Sequence, residues 1–197
     1  MKYSYENILN KLISEVPINK SDNTYGIVFI AGQGFGKSTV ANMLSKKLGI
    51  LIVANDQIRR VFDSLGFDST KYEDDVKKMA FDRTIYLLKN KTCHIVDANM
   101  EFHWKMAIEN YNKYNAKLYF IELKCREEDV LRRIRQRENN FGKDDNQSRA
   151  TIEDYNRYLE LKKDSCFPKD LIFYTINTDT SMEEIEKQVD LLVDKLK

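Results

Sequence analysis

Proline is nearly missing from this chain, at two residues in 197, and glycine is sparse at seven. Collagen-like and proline-rich architectures are thereby excluded. Cysteine occurs three times, at Cys93, Cys125 and Cys166, widely spaced and without a CxxC pair. An odd, scattered set offers neither a disulfide framework nor a structural zinc motif, and fits a reduced, cytoplasmic setting. No run approaches 18 apolar residues, so no membrane span or membrane partner is expected. The opening segment MKYSYENILNKLISEV has no continuous apolar stretch and no small-residue cleavage site, and does not read as a signal peptide. Excess charge is lacking as well. Lys plus Arg is 32 and Asp plus Glu is 31, a net +1. A dedicated nucleic-acid binder would carry a basic surplus, so nucleic acid is disfavoured as a partner and a small molecule is favoured.

Hydrophobic residues make up 42% of the chain and charged residues 32%, enough apolar material for one sizeable core. One domain spanning residues 1–197 is the default at this length. Short continuous apolar runs alternate with helical periodicity. Ile27 to Ile30, Ile50 to Ala54, His94 to Val96, Leu118 to Leu123 and Leu171 to Ile176 read as strands buried on both faces. Between and around them, helical patterns run over 5–15, from the glycine-rich loop to Gly49, and over 58–65, 76–88, 104–114, 127–138 and 182–196. This alternation predicts an α/β protein: a doubly wound, five-stranded parallel sheet with helices on both faces. The polar stretch Asn139 to Ser148 is the most loop-like interior segment, and a further helix follows it.

Directly after the first strand the chain reads Ala31-Gly32-Gln33-Gly34-Phe35-Gly36-Lys37-Ser38-Thr39 and then enters a helix. Glycines let backbone N–H groups curl around an anion, and the helix start adds unpaired N–H groups and a positive dipole end. Lys37 can bridge β- and γ-phosphates, and the Ser38 hydroxyl can bind Mg²⁺. The order strand, loop, helix is the context a P-loop demands. Other P-loop classes fit poorly. Asp63-Ser64-Leu65-Gly66 spells DxxG but closes a helix too soon after the P-loop, and Asn90-Lys91-Thr92-Cys93 lacks the Asp that would read guanine. No hhhhDE strand of the mechanical ATPase type is present.

Three features together resemble small P-loop kinases: the AGQGFGKST loop, Asn55-Asp56-Gln57-Ile58-Arg59 after the second strand, and His94-Ile95-Val96-Asp97-Ala98-Asn99 at the third. The similarity runs over roughly residues 26–180 and reaches the group that includes polynucleotide kinase domains and adenylylsulfate kinases. It implies ATP and Mg²⁺ as cofactors, with Gly34, Phe35, Gly36, Lys37, Ser38 and Thr39 around the nucleotide phosphates. Asp56 would accept or orient the attacking hydroxyl of the substrate, with helix N-capping as its structural alternative. Asp97 would join Ser38 at the metal, with capping of the Trp104 helix as its alternative. Arg59 matches the position at which these kinases contact the substrate. The basic helix ending Arg132-Arg133-Ile134-Arg135-Gln136-Arg137 stands where such kinases carry a lid, here about 130–150. Arg133 and Arg137 share a helical face and would complete the catalytic set with Lys37 and Asp56. Arg149 is a weaker lid candidate. Asn177 to Thr180 would hold adenine through backbone contacts, and His94 and Trp104 are expected in packing. The implied activity is transfer of the γ-phosphoryl group to a hydroxyl of a nucleotide- or sugar-containing small molecule. A polynucleotide 5′-hydroxyl kinase and a nucleotide-binding regulator without turnover are the alternatives.

Overall fold

The structure is a computed structural model, and it describes residues 4–14, 19–139 and 150–197. Five parallel strands form one sheet in the order β2-β3-β1-β4-β5. They are β1 (Tyr25–Ile30), β2 (Leu51–Ala54), β3 (His94–Asn99), β4 (Lys117–Lys124) and β5 (Ile172–Asn177). The expected doubly wound α/β fold is therefore present. β1 is central because it is the most completely apolar strand; its residues 26–30 are all buried. A strand covered on both faces needs side chains that are apolar on both.

Alternation along β1 divides the core. Ile27 and Phe29 face α2 (Lys37–Leu48) and α8 (Met182–Leu196), meeting Val40, Leu44, Val189 and Leu192. Val28 and Ile30 face the other way, toward α5 (Trp104–Lys113), with Phe120 of β4 and Phe167. A second apolar cluster lies beyond β2. There α1 (Tyr5–Ser14) lays Ile8 and Leu12 against Ile58 and Phe62 of α3 (Asn55–Ser64) and Val76 and Met79 of α4 (Glu73–Lys89). The remaining helices are α6 (Glu127–Asn139) and α7 (Ile152–Lys163). Val130 and Ile134 of α6 pack on Tyr155 and Tyr158 of α7.

The sequence places most elements within a few residues. β3 runs three residues beyond Val96 to Asn99, and α3 and α4 each begin three residues before the expected Ile58 and Val76. Polar Asp97 and Asn99 hid the extension of β3. The Asn139 to Ser148 stretch and Arg149 lie, apart from Asn139, outside the described residues.

His94 is a core histidine, as expected. Its Nδ1 bonds the Thr92 carbonyl at 2.9 Å, so the Tyr111 hydroxyl donates to Nε2 at 2.6 Å. Burial holds the imidazole neutral by lowering its pKa to about 4. The Tyr111 hydroxyl occupies the space beside Gly26, where a Cβ would come within 2.1 Å of it. Trp104 is half-buried and packs edge-on against Phe167, as expected.

Candidate active site

The loop between β1 and α2 turns at two left-handed glycines, Gly34 (φ 80°) and Gly36 (φ 88°). A Cβ on Gly34 would also come 2.8 Å from Val130 Cγ1. Glycine is needed there both for the backbone angle and for the close approach of α6. The loop is tied from outside. Thr178, at the exit of β5, donates its hydroxyl to the Phe35 carbonyl at 2.8 Å. Arg133 donates to the Gly34 carbonyl at 3.2 Å and to the Thr178 carbonyl. The Phe35 ring stands edge-on to Tyr158. A glycine turn of this kind presents backbone N–H groups to an anion.

Lys37 opens α2, and its ammonium donates to the Gly32 carbonyl at 2.6 Å. Burial lowers its pKa to about 8; Asp97 and Asp56 oppose that fall and Arg137 adds to it. Such a lysine gains much from a polyanion. Ser38 follows, exposed at the helix start.

Asp97 reaches the site through an irregularity in β3. On its β2 side the ladder is regular, with Ala54 opposite Asp97. On its β1 side the register jumps, from Val28 opposite Val96 to Phe29 opposite Asn99. The extra residues bulge, and bulges re-aim side chains beside active sites. Asp97 thereby lines the same cleft as Ser38. Burial raises the Asp97 pKa, with Ser38, Lys37 and Arg137 pulling it down and Asp56 pushing it up. The alternative capping role is not observed: the cap position of α5 is His103. Asn99 completes the bulge by accepting hydrogen bonds from the N–H groups of Ala31 (3.4 Å) and Glu101 (3.0 Å).

Asp56 lies in the first turn of α3, one residue inside the helix, whose cap position is Ala54. The capping alternative is therefore not observed here either, although a carboxylate in a first turn still favours the helix dipole. β2, which delivers Asp56, is separated from β1 by β3. Asp56 nevertheless lines the same cleft as Lys37, Ser38, Thr39 and Asp97.

The three arginines separate. Arg59 is not free for a substrate in this arrangement. It pairs with Asp56 at 2.5 Å and in fork geometry with Glu73 at 2.9 and 2.8 Å. Arg133 and Arg137, although four residues apart, meet different partners. Arg133 braces the P-loop against Thr178, whereas Arg137 lines the cleft with Lys37. Burial lowers the Arg137 pKa, as does Arg133, while Asp56 and Asp97 oppose. Arg132 pairs with Asp129 on the outer face.

Sequence reasoning did not single out Glu73, Asn99 or Thr178 as individual site residues. Asn99 and Thr178 stood inside stretches already noted, but nothing in a linear chain marks Glu73 as the partner of a residue 14 positions earlier. Among the described residues, no cluster of three or more His, Cys, Asp or Glu could hold a metal unaided. Asp97 and Ser38 suit Mg²⁺, which takes most of its oxygen ligands from phosphate and water.

A five-stranded parallel sheet, a glycine turn closing on a lysine and a carboxylate on the adjacent strand define the small P-loop kinase fold. Residues 27–161 match a family described as AAA domain, and the chain belongs to that family. The APS kinase of Mycobacterium tuberculosis, solved with AMPPNP and APS, aligns over 89% of this chain and 99% of its own. The identity is 18% and the TM-score 0.58. Shikimate kinase from Bacteroides thetaiotaomicron aligns over 87% and 98%, at 17% identity and TM-score 0.56. A chain of the PezAT chromosomal toxin–antitoxin system of Streptococcus pneumoniae aligns over 98% and 98%, at 15% identity and TM-score 0.61. No curated protein sequence matches this chain. No helix among the described residues is long and apolar enough to cross a membrane.

Proposed function

We propose that the protein is an ATP- and Mg²⁺-dependent kinase that transfers the γ-phosphoryl group to a hydroxyl of a small molecule. The observation that carries this reading is one cleft of about 920 Å³ whose lining includes Lys37, Ser38, Asp97, Arg137 and Asp56. A nucleotide-binding regulator needs the first three residues to hold phosphates and metal. It has no need of a carboxylate beside them on a separate wall.

Lys37 and the Gly34–Thr39 backbone hold the phosphates. Ser38 and Asp97 hold the metal, which supplies charge neutralisation on the phosphate oxygens. Arg137 reaches the same space from α6 and stabilises charge that grows during transfer. Asp56 accepts or orients the acceptor hydroxyl, with its carboxylate kept in place by Arg59. Arg133 acts at one remove, as a positioning residue for the P-loop. Catalysis on this plan is orientation and electrostatics, with no covalent intermediate on the protein.

A coupled assay of ATP consumption, run against nucleosides, nucleotides, sugars and oligonucleotides, tests the reading. An acceptor-dependent rate that disappears in Lys37→Ala supports it. Tight ATP binding with no acceptor-dependent rate for any class would move the protein to the regulatory alternative.

A further inference from the structure

Beyond the P-loop and the two aspartates, the same cleft is walled by residues that the phosphates do not need. One wall is a stripe of α4, where Lys77, Phe81, Thr84 and Ile85 follow helical spacing. The other is a stripe of α5 and its cap, His103, Met106, Ala107 and Asn110. Phe81 and Met106 are 38% and 42% exposed and belong to no core cluster. Exposed apolar side chains facing one slot are unusual in a chain whose other large hydrophobics are mostly buried, and they mark a binding surface.

The polar groups of the slot are few and point to hydrogen bonding rather than charge. Thr84 spends its proton on the Ala80 carbonyl at 2.9 Å, and Asn110 spends its amide on the Met106 carbonyl at 2.8 Å. Both therefore offer acceptor oxygens to a ligand. The cations are committed or peripheral. Glu73 and Asp56 close off Arg59. Lys78 lies 4.3 Å over the Tyr5 ring; Lys77, 63% exposed and 3.9 Å from Asp74, and the exposed His103 stand at the water-filled mouth. Arg157 is exposed on α7, where water and salt leave little for an anion.

We propose that this slot takes an acceptor of the nucleoside class: an uncharged hydroxyl compound bearing a flat nitrogen heterocycle. The ring lies between Phe81 and Met106, its N–H groups donate to Thr84 and Asn110, and a hydroxyl reaches Asp56. A sugar phosphate would find no open guanidinium fork, and a bare polyol would leave the apolar walls uncovered. The proposal rests on the kinase reading for the direction of transfer but not for binding.

Binding is tested without turnover. Saturation-transfer NMR on the full chain, with AMPPNP and Mg²⁺ present, uses adenosine, uridine, adenosine monophosphate, glucose and glucose 6-phosphate as probes. The expected result is transfer to the base protons of a nucleoside. The double variant Phe81→Ala, Met106→Ala, checked for an unchanged melting temperature, weakens that nucleoside about tenfold or more. In turnover, its KM for the nucleoside rises by a similar factor while kcat falls by less. Transfer confined to glucose 6-phosphate, a monophosphate bound tenfold tighter than its nucleoside, or no loss in the double variant overturns the proposal. A nucleoside that binds as expected without any ATP consumption sinks the kinase reading and leaves this inference standing.

Discussion

The P-loop side of the cleft and the proposed acceptor side, walled by α4 and α5, are built differently. On the phosphate side, left-handed glycines, an irregular strand register and carbonyls tied down by Thr178 and Arg133 set the geometry. The main chain does the recognising, and side chains lock it. On the acceptor side, α4 and α5 are regular helices and recognition falls to what projects from them. A main-chain cradle suits a ligand common to many enzymes. A helix surface can be changed one side chain at a time without disturbing the fold.

The comparison breaks most sharply at Lys37. Lys37→Ala should lower kcat/KM by at least about 10²–10³-fold, the scale of losing one preorganised charge at a transferring group. Its melting temperature at pH 7 should not fall. Lys37 is charged at a folded pKa near 8 against 10.5 unfolded, so the folded state binds fewer protons and the charge costs stability below pH 8. Stability of the parent should rise with pH between about 8 and 10.5, and this component should vanish in the variant. Thermal melts across that range provide the check.

Asp56→Asn should reduce kcat by about 10²–10⁴-fold and change the KM for ATP little. Asn preserves size and removes only the charge and the proton-accepting power. An unchanged kcat on a verified acceptor, at parental melting temperature, would remove Asp56 from the mechanism.

The arginine pair sharpens the contrast further. Arg137→Ala should fall mainly in kcat, by about 10²-fold. Arg133→Ala should instead raise the KM for ATP and lower the melting temperature, because Gly34 and Thr178 lose their shared brace. Matching kinetic signatures in the two variants would contradict their separation.

The smallest effect is a proton. AMPPNP should draw Lys37 back to its charged form, so binding at pH 8.5 should take up a fraction of a proton and weaken as pH rises. At pH 6.5 Lys37 is already charged and contributes no uptake. Titration calorimetry in two buffers of different ionisation enthalpy measures it.

Local signals explain how much was legible. Five apolar runs, the Gly34-Phe35-Gly36-Lys37-Ser38 turn and the amphipathic C-terminal helix each carry their own periodicity or spacing. The fold and the phosphate loop could be read from them. The different partners of Arg133 and Arg137 could not. A shared helical face says that two side chains are neighbours, not that both meet the same ligand. Asp97 was found, but its strand was cut three residues short, because polar Asp97 and Asn99 interrupt the apolar run that marks a buried strand.

The sequence by itself determined the parallel α/β sheet, the P-loop and the candidate set of charged residues, because backbone preference and apolar periodicity act over a few neighbours. Only the tertiary structure decided which charges are spent and which are left for chemistry. Arg59 is closed by Glu73 from another helix, Arg133 by carbonyls of two distant loops, and Arg137 is left facing Lys37 and the two aspartates. A charge takes its role from the partners within hydrogen-bond reach, and those partners are brought together by packing rather than by position along the chain.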